Sequence, residues 1–135
     1  MPPSPTPARR GLTLDDLTRF QIASEPRLSP DARSVVFTLQ RLSRANDTYY
    51  TNLWLVAADG AQPARAFTSG DVKDHGAEWS PDGTRLAFVS NRGEGANIYI
   101  MRADGGEALR LTDLKGRVDL VAWSPSGSQI AFTYR

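Results

Sequence analysis

Ala77-Glu78-Trp79-Ser80-Pro81-Asp82-Gly83-Thr84-Arg85-Leu86-Ala87-Phe88-Val89-Ser90 is the stretch that decides the fold. It reads as a β-hairpin. A short apolar run ending in Trp79 meets a Pro81-Asp82-Gly83 turn, and the run Leu86-Ala87-Phe88-Val89 leaves it. Proline presets φ at the first inner turn position, aspartate tolerates the second, and glycine takes a positive φ without steric cost. The same phrase returns as Val121-Ala122-Trp123-Ser124-Pro125-Ser126-Gly127-Ser128-Gln129-Ile130-Ala131-Phe132. A weaker copy, Arg27-Leu28-Ser29-Pro30-Asp31-Ala32-Arg33-Ser34-Val35-Val36-Phe37, has alanine where the turn glycine belongs. A second phrase also repeats: Asn52-Leu53-Trp54-Leu55 through Asp59-Gly60 matches Asn97-Ile98-Tyr99-Ile100 through Asp104-Gly105.

From Ser29 to Ser80 is 51 residues, from Ser80 to Ser124 is 44, and from Gly60 to Gly105 is 45. A period of about 40 to 50 residues with four strands per unit marks the blades of a β-propeller. The first unit predicts strands at 26–28, 34–41, 51–57 and 65–68, with 42–50 as an irregular insertion loop. The second predicts 75–80, 85–90, 97–102 and 108–111, and a third begins with 118–124 and 129–134. The fold class is therefore all-β: an incomplete propeller of about two and a third four-stranded antiparallel blades, where closure takes typically four to eight. Blade 1 covers about 28–70, blade 2 about 71–115, and the start of blade 3 about 116–135. In the second strand of a unit, Leu86 and Phe88 occupy one face and Ala87 and Val89 the other, as a sheet sandwiched between neighbours requires. Trp79 and Trp123 are expected to anchor the blade packing. At position 32, a turn of another shape is expected, since alanine resists positive φ.

Residues 1–12 carry four prolines and little apolar surface, and are expected to form a disordered tail. Residues 13–27 are expected to form a capped helix and lead-in. Thr13 is its N-cap, Asp16 the capping-box acid, and Leu14, Leu17 and Phe20 its buried stripe. Sixteen basic against fifteen acidic residues argue against nucleic acid or an anionic membrane as partner. The absence of cysteine rules out a disulfide framework and a thiolate metal site, and fits a reducing cytoplasmic setting. The first ten residues lack the apolar core of an export signal, and no stretch has the length of a membrane span.

Taken together, Trp79 to Arg92, Asn97-Ile98-Tyr99, Ala103 to Glu107 and Leu111-Thr112 resemble the TolB-type propeller repeat. That repeat occurs in periplasmic TolB and in the N-terminal propeller of prolyl-oligopeptidase-type serine peptidases. A capped helix ahead of Pro26-Arg27-Leu28-Ser29-Pro30-Asp31 resembles the opening of the acylaminoacyl-peptidase branch. The resemblance implies a propeller fragment that gates access of short peptides to an α/β-hydrolase domain lying outside this chain. The implied partners are that domain, the remaining blades and short peptides, with self-association through open blade edges expected of an isolated chain. The alternative is a non-catalytic, TolB-like interaction propeller.

No residue here is assigned a catalytic, cofactor-binding or metal-ligating role, and no cofactor is expected. Gly-x-Ser-x-Gly, the strained elbow of hydrolase serines, does not occur. His75, the single histidine, has no serine partner in its sequence context. Asp59-Gly60, Asp82-Gly83 and Asp104-Gly105 lack the alternating oxygens and distal glutamate of a calcium loop and read as turns. Gly93-Glu94-Gly95 reads as a flexible hairpin turn with no phosphate-binding helix after it. Arg92 is weighed as a channel-facing cation for a peptide carboxylate against an ordinary hairpin end, and the second is preferred. Among Tyr49, Tyr50 and Trp54, the tyrosine pair is the candidate for peptide contact and Trp54 is assigned to the core.

Overall fold

The alternating runs fold as three antiparallel sheets in chain order, and the computed structural model describes all residues, Met1–Arg135. A four-residue helix, α1 (Leu14–Leu17), precedes the first sheet. That sheet holds β1 (Gln21–Leu28), β2 (Ser34–Ser43), β3 (Thr48–Ala57) and β4 (Arg65–Ala66), paired in that order. The second holds β5 (His75–Trp79), β6 (Arg85–Ser90), β7 (Asn97–Arg102) and β8 (Leu109–Arg110), again paired in sequence. β9 (Val118–Trp123) and β10 (Ile130–Tyr134) form the first half of a third. These are propeller blades, open at both ends of the array.

Two apolar layers hold the blades together, and β6 supplies both. Leu86 and Phe88 join Val36, Leu53, Leu55 and Phe67 of blade 1 in one buried cluster. Ala87 and Val89, pointing the opposite way, join Val118 and Val121 of blade 3 in the other. The period of two along a strand thus places successive residues of one segment in two different cores. Trp79 packs against the first cluster and Trp123 against the second.

The turns repeat atom by atom. Ser80 Oγ donates to Asp82 Oδ1 at 2.7 Å, Arg85 N–H donates to Ser80 Oγ at 3.0 Å, and Gly83 N–H closes on Ser80 O at 2.9 Å. Blade 1 makes the same contacts from Ser29, Asp31, Ser34 and Ala32. In blade 3, Ser126 replaces the aspartate. A further clasp ties the third strand to the fourth. Thr68 Oγ1 accepts from Leu53 N–H, and Thr112 Oγ1 accepts from Ile98 N–H, at 2.9 and 3.0 Å.

Several expectations are corrected. Ala32 does adopt a positive φ of 58°, because the Ser29–Asp31 clasp imposes the glycine-type turn on it. β1 begins at Gln21, well before residue 26, since its first residues pair with an elongated β2. Residues 42–50 are no irregular loop: β2 and β3 run on through Ser43 and from Thr48, paired opposite each other, leaving a short turn with Asp47 at φ 46°. The expected stripe of Leu14, Leu17 and Phe20 is exposed: Leu17 and Phe20 border a shallow groove against the β2–β3 hairpin, and the helix joins neither buried layer between the blades. Asp16 is the covered residue instead. Its carboxylate takes Thr13 N–H at 2.8 Å and both Arg10 guanidinium nitrogens at 2.6 and 2.7 Å. The Arg10 guanidinium, with the Thr13 N–H second, holds that carboxyl far below the usual carboxylate range.

Glycine at position 32 relieves the left-handed strain of an L-residue. Ala32→Gly is expected to stabilise the fold by about 1 kcal/mol, read as a higher urea midpoint at unchanged slope.

Candidate functional site

In each blade the first strand is an edge strand, and β1, β5 and β9 stand side by side. They form the inner wall of the array. The indole of Trp79 donates to Arg27 O at 3.0 Å, and that of Trp123 donates to Glu78 O at 3.0 Å. Each bond reaches from the last residue of one inner strand to the backbone of the preceding blade. Leu28 holds the corresponding position in blade 1 and is exposed.

Both complete blades carry a bulge in this wall, between Ser24 and Arg27 and between His75 and Glu78. Glu25 sits at φ 52° and Gly76 at φ 64° in these bulges. Glu25 Oε2 accepts from Gly76 N–H at 2.6 Å, stitching one bulge to the next. Arg27 Nε donates to Glu78 Oε1 at 3.1 Å alongside. On β9, Asp119 bridges Arg135 and Arg117 at 2.7 and 2.8 Å, and the Arg135 guanidinium draws its carboxyl below the ordinary value. The wall is therefore charged and internally paired.

Arg92 is not a free channel cation. Its Nη2 donates to Asp74 Oδ2 at 2.8 Å, its Nε donates to Ser90 Oγ at 3.0 Å, and its guanidinium lies 5.3 Å from both the Phe88 and Tyr99 ring centres. Asp74 is fully buried, and its second oxygen has no hydrogen-bond partner. Because Phe88 and Tyr99 belong to the layer between blades 1 and 2, this pair caps that layer with a buried charge. Sequence reasoning missed Asp74. The available signal was an acid six residues ahead of Ser80 in a segment about to turn apolar.

His75 lies half-buried at the first position of β5, opposite Val89. Asp59, Asp82 and Asp104 sit in turns. Asp82 serves Ser80 and Thr84, Asp104 pairs with Arg102 at 2.7 Å, and Asp59 accepts from Ala61 N–H at 2.9 Å. Gly93-Glu94-Gly95 is pinned, contrary to the flexible turn expected. Asn97 Nδ2 donates to Glu94 O and Leu114 O at 3.0 and 3.1 Å. A Cβ at Gly95, where φ is 72°, would lie 2.8 Å from Leu114 O. Tyr49 is exposed, whereas Tyr50 accepts from Asn46 and lies under the Arg41 guanidinium. Trp54 is corrected: it faces Phe37 and Ala66 on the side of blade 1 turned away from blade 2, while its neighbours Leu53 and Leu55 fill the core. These residues brace the blades and turns and bring no nucleophile and base together. No helix is long and apolar enough to cross a membrane.

Sheets of four antiparallel strands, stacked face to face with inner strands converging, define a β-propeller. Residues 16–135 match the sequence profile of the TolB beta propeller domain, and the chain belongs to that family. It is 35% identical over 125 residues to the uncharacterized peptidase YuxL of Bacillus subtilis (strain 168), covering 90% of this chain and 19% of that protein. Over 73 residues it is 36% identical to the Tol-Pal system protein TolB of Geobacter sulfurreducens, covering 54% of this chain and 16% of TolB. The fold also matches Pyrococcus horikoshii acylaminoacyl peptidase, with a TM-score of 0.66 at 18% identity, over 84% of this chain and 17% of that one. The chain thus spans about a fifth or less of each of these proteins.

Removing Arg92 strands a buried carboxylate. Arg92→Ala is expected to cost about 3 kcal/mol or more, and Asp74→Ala/Arg92→Ala clearly less than the sum of the single changes, by urea unfolding of all four proteins.

The Ser80 hydroxyl, with the Thr84 N–H next, lowers the Asp82 carboxyl to about 2. An acid depressed below its unfolded value of about 3.9 contributes stability above that pH and loses it as pH falls toward the folded value. Between about pH 4 and pH 2, Asp82→Asn is therefore expected to lose stability less steeply than the parent, as followed by tryptophan fluorescence.

Proposed function

We propose that this chain is the opening part of the propeller of a serine peptidase of the acylaminoacyl-peptidase and prolyl-oligopeptidase type. In that reading the completed propeller covers a separate α/β-hydrolase domain and admits short peptides while excluding folded proteins, in a cytoplasmic setting. The observation that carries it is the 35% identity to a peptidase across 90% of this chain, which takes in the helix and lead-in as well as the repeats.

The similarity to TolB over 73 residues favours a second reading, a non-catalytic propeller that binds other proteins. The two part on one experiment with the full-length gene product. The peptidase reading expects a fluorophosphonate probe to label one serine outside residues 1–135, and expects short blocked peptides to be cleaved while a folded protein of the same sequence composition survives. A full-length product with no labelled serine overturns it in favour of the binding propeller. A labelled serine with equal cleavage of peptide and folded protein removes the gating role alone.

A further inference from the structure

Blades 1 and 2 meet through the same kind of junction as blades 2 and 3, but only the second junction is filled. There, Arg85 of blade 2 reaches across to blade 3. Its guanidinium lies 4.8 Å from the centre of the Trp123 ring, and its Nη2 donates to Gly127 O at 3.1 Å. Counted from the turn serines Ser29, Ser80 and Ser124, the corresponding residues at the first junction are Ser34, Trp79 and Gly83. The turns pack alike in both places: a Cβ on Gly83 would lie 3.6 Å from Pro30 Cδ, and one on Gly127 3.5 Å from Pro81 Cδ. At the first junction, serine stands where the second has its cation.

A cavity of about 700 Å³ occupies that place, and Ser34, Trp79 and Gly83 are among its lining residues. No arginine of this chain takes the Trp79 ring, since the guanidinium groups lying over rings are those of Arg41, Arg85 and Arg92. Leu55, Ala57, Pro63 and Ala64 give the cavity an apolar wall suited to the methylene stem of a long side chain. Asp31 and Asp82 give it charge. Their side-chain hydrogen bonds, from Ser29 and Arg33 and from Ser80 and Thr84, all go to Oδ1, so each Oδ2 is left over. Arg65 is the one cation on the lining, and the third acid, Asp104, is already paired with Arg102. Two uncommitted carboxylates against one cation leave the lining negative.

We propose that this cavity binds the arginine side chain of a polypeptide ligand, which supplies from outside the guanidinium that Arg85 supplies at the next junction. The planar cation stacks on Trp79, donates to Gly83 O and pairs with Asp31 or Asp82. An ammonium group matches that set less well, because it cannot stack and fork at once. The lining includes the turns that end the inner strands β1 and β5, which puts the site at one rim of the inner wall. Both blades are complete in this chain, so the site stands under either reading of the whole protein.

The test uses the full-length gene product labelled with 5-fluorotryptophan and titrated with acetyl-arginine methylamide, read by fluorine NMR. Ser34→Arg builds the filled junction between blades 1 and 2 and is expected to move one tryptophan resonance. Titration of the parent is expected to move that same resonance in the same direction, and titration of Ser34→Arg to leave it still. Acetyl-citrulline methylamide, alike in shape and uncharged, is expected to need about tenfold more for the same shift. Asp31→Asn keeps the Oδ1 acceptor for Ser29 and Arg33 and is expected to raise the arginine midpoint about threefold. If Ser34→Arg does not fold, the difference between arginine and citrulline and its weakening in Asp31→Asn decide the matter. No arginine-dependent shift, an equal response to citrulline, a response that survives Ser34→Arg, or one that Asp31→Asn leaves at full strength would each overturn the site. None of these readings needs a reactive serine, so the site and the peptidase reading fail separately.

Discussion

Burial of β6 on both of its faces is the constraint on which the rest depends. A strand that is apolar all round is stable only between two sheets, so a single blade of this sequence exposes what its neighbours must cover. Leu86 and Phe88 look toward blade 1, and Ala87 and Val89 toward blade 3. Stacking follows from that pattern, and a blade face with no neighbouring blade in this chain is left uncovered. The free face of blade 1, with Leu28, Phe37 and Trp54, and the half-built third blade are surfaces of this kind.

Polar contacts set the angle and register of the stack. The two indole bonds, from Trp79 to Arg27 O and from Trp123 to Glu78 O, fix each inner strand against the one before it. Glu25 and Gly76 do the same between bulges. Within a blade the serine–aspartate clasp forces one turn geometry strongly enough to hold alanine at a positive φ. Each such bond contributes modestly, but a buried donor or acceptor left without its partner costs more, so the polar pattern selects one packing among many apolar ones.

Several of the chain's charges are paired within it. Arg92 is tied to Asp74, Arg27 to Glu78, Arg102 to Asp104, and Arg135 and Arg117 to Asp119. These pairs tie neighbouring strands and turns to one another. The position of the one buried pair, over the aromatic rings between blades 1 and 2, makes it a strut of the stack.

How much of this was legible depends on the range of the interaction. Alternation, proline–aspartate–glycine turns and the 44- and 45-residue repeats are local features, and they determined the blades, their strand order and the two-sided burial of β6. They also identified the propeller repeat. What only the tertiary structure decided is non-local. Trp54 and Leu55 are adjacent and equally apolar, yet one faces the open side and the other the core, because the neighbouring blade lies on one side alone. The run 42–50 contains polar residues that read as a loop, but pairing across the hairpin satisfied its backbone and lengthened the strands. The stripe on α1 has the spacing of a buried face and is exposed, since a period states which residues share a side and not what stands opposite. Asp74 and Arg92 are 18 residues apart, and only the fold brings them to 2.8 Å.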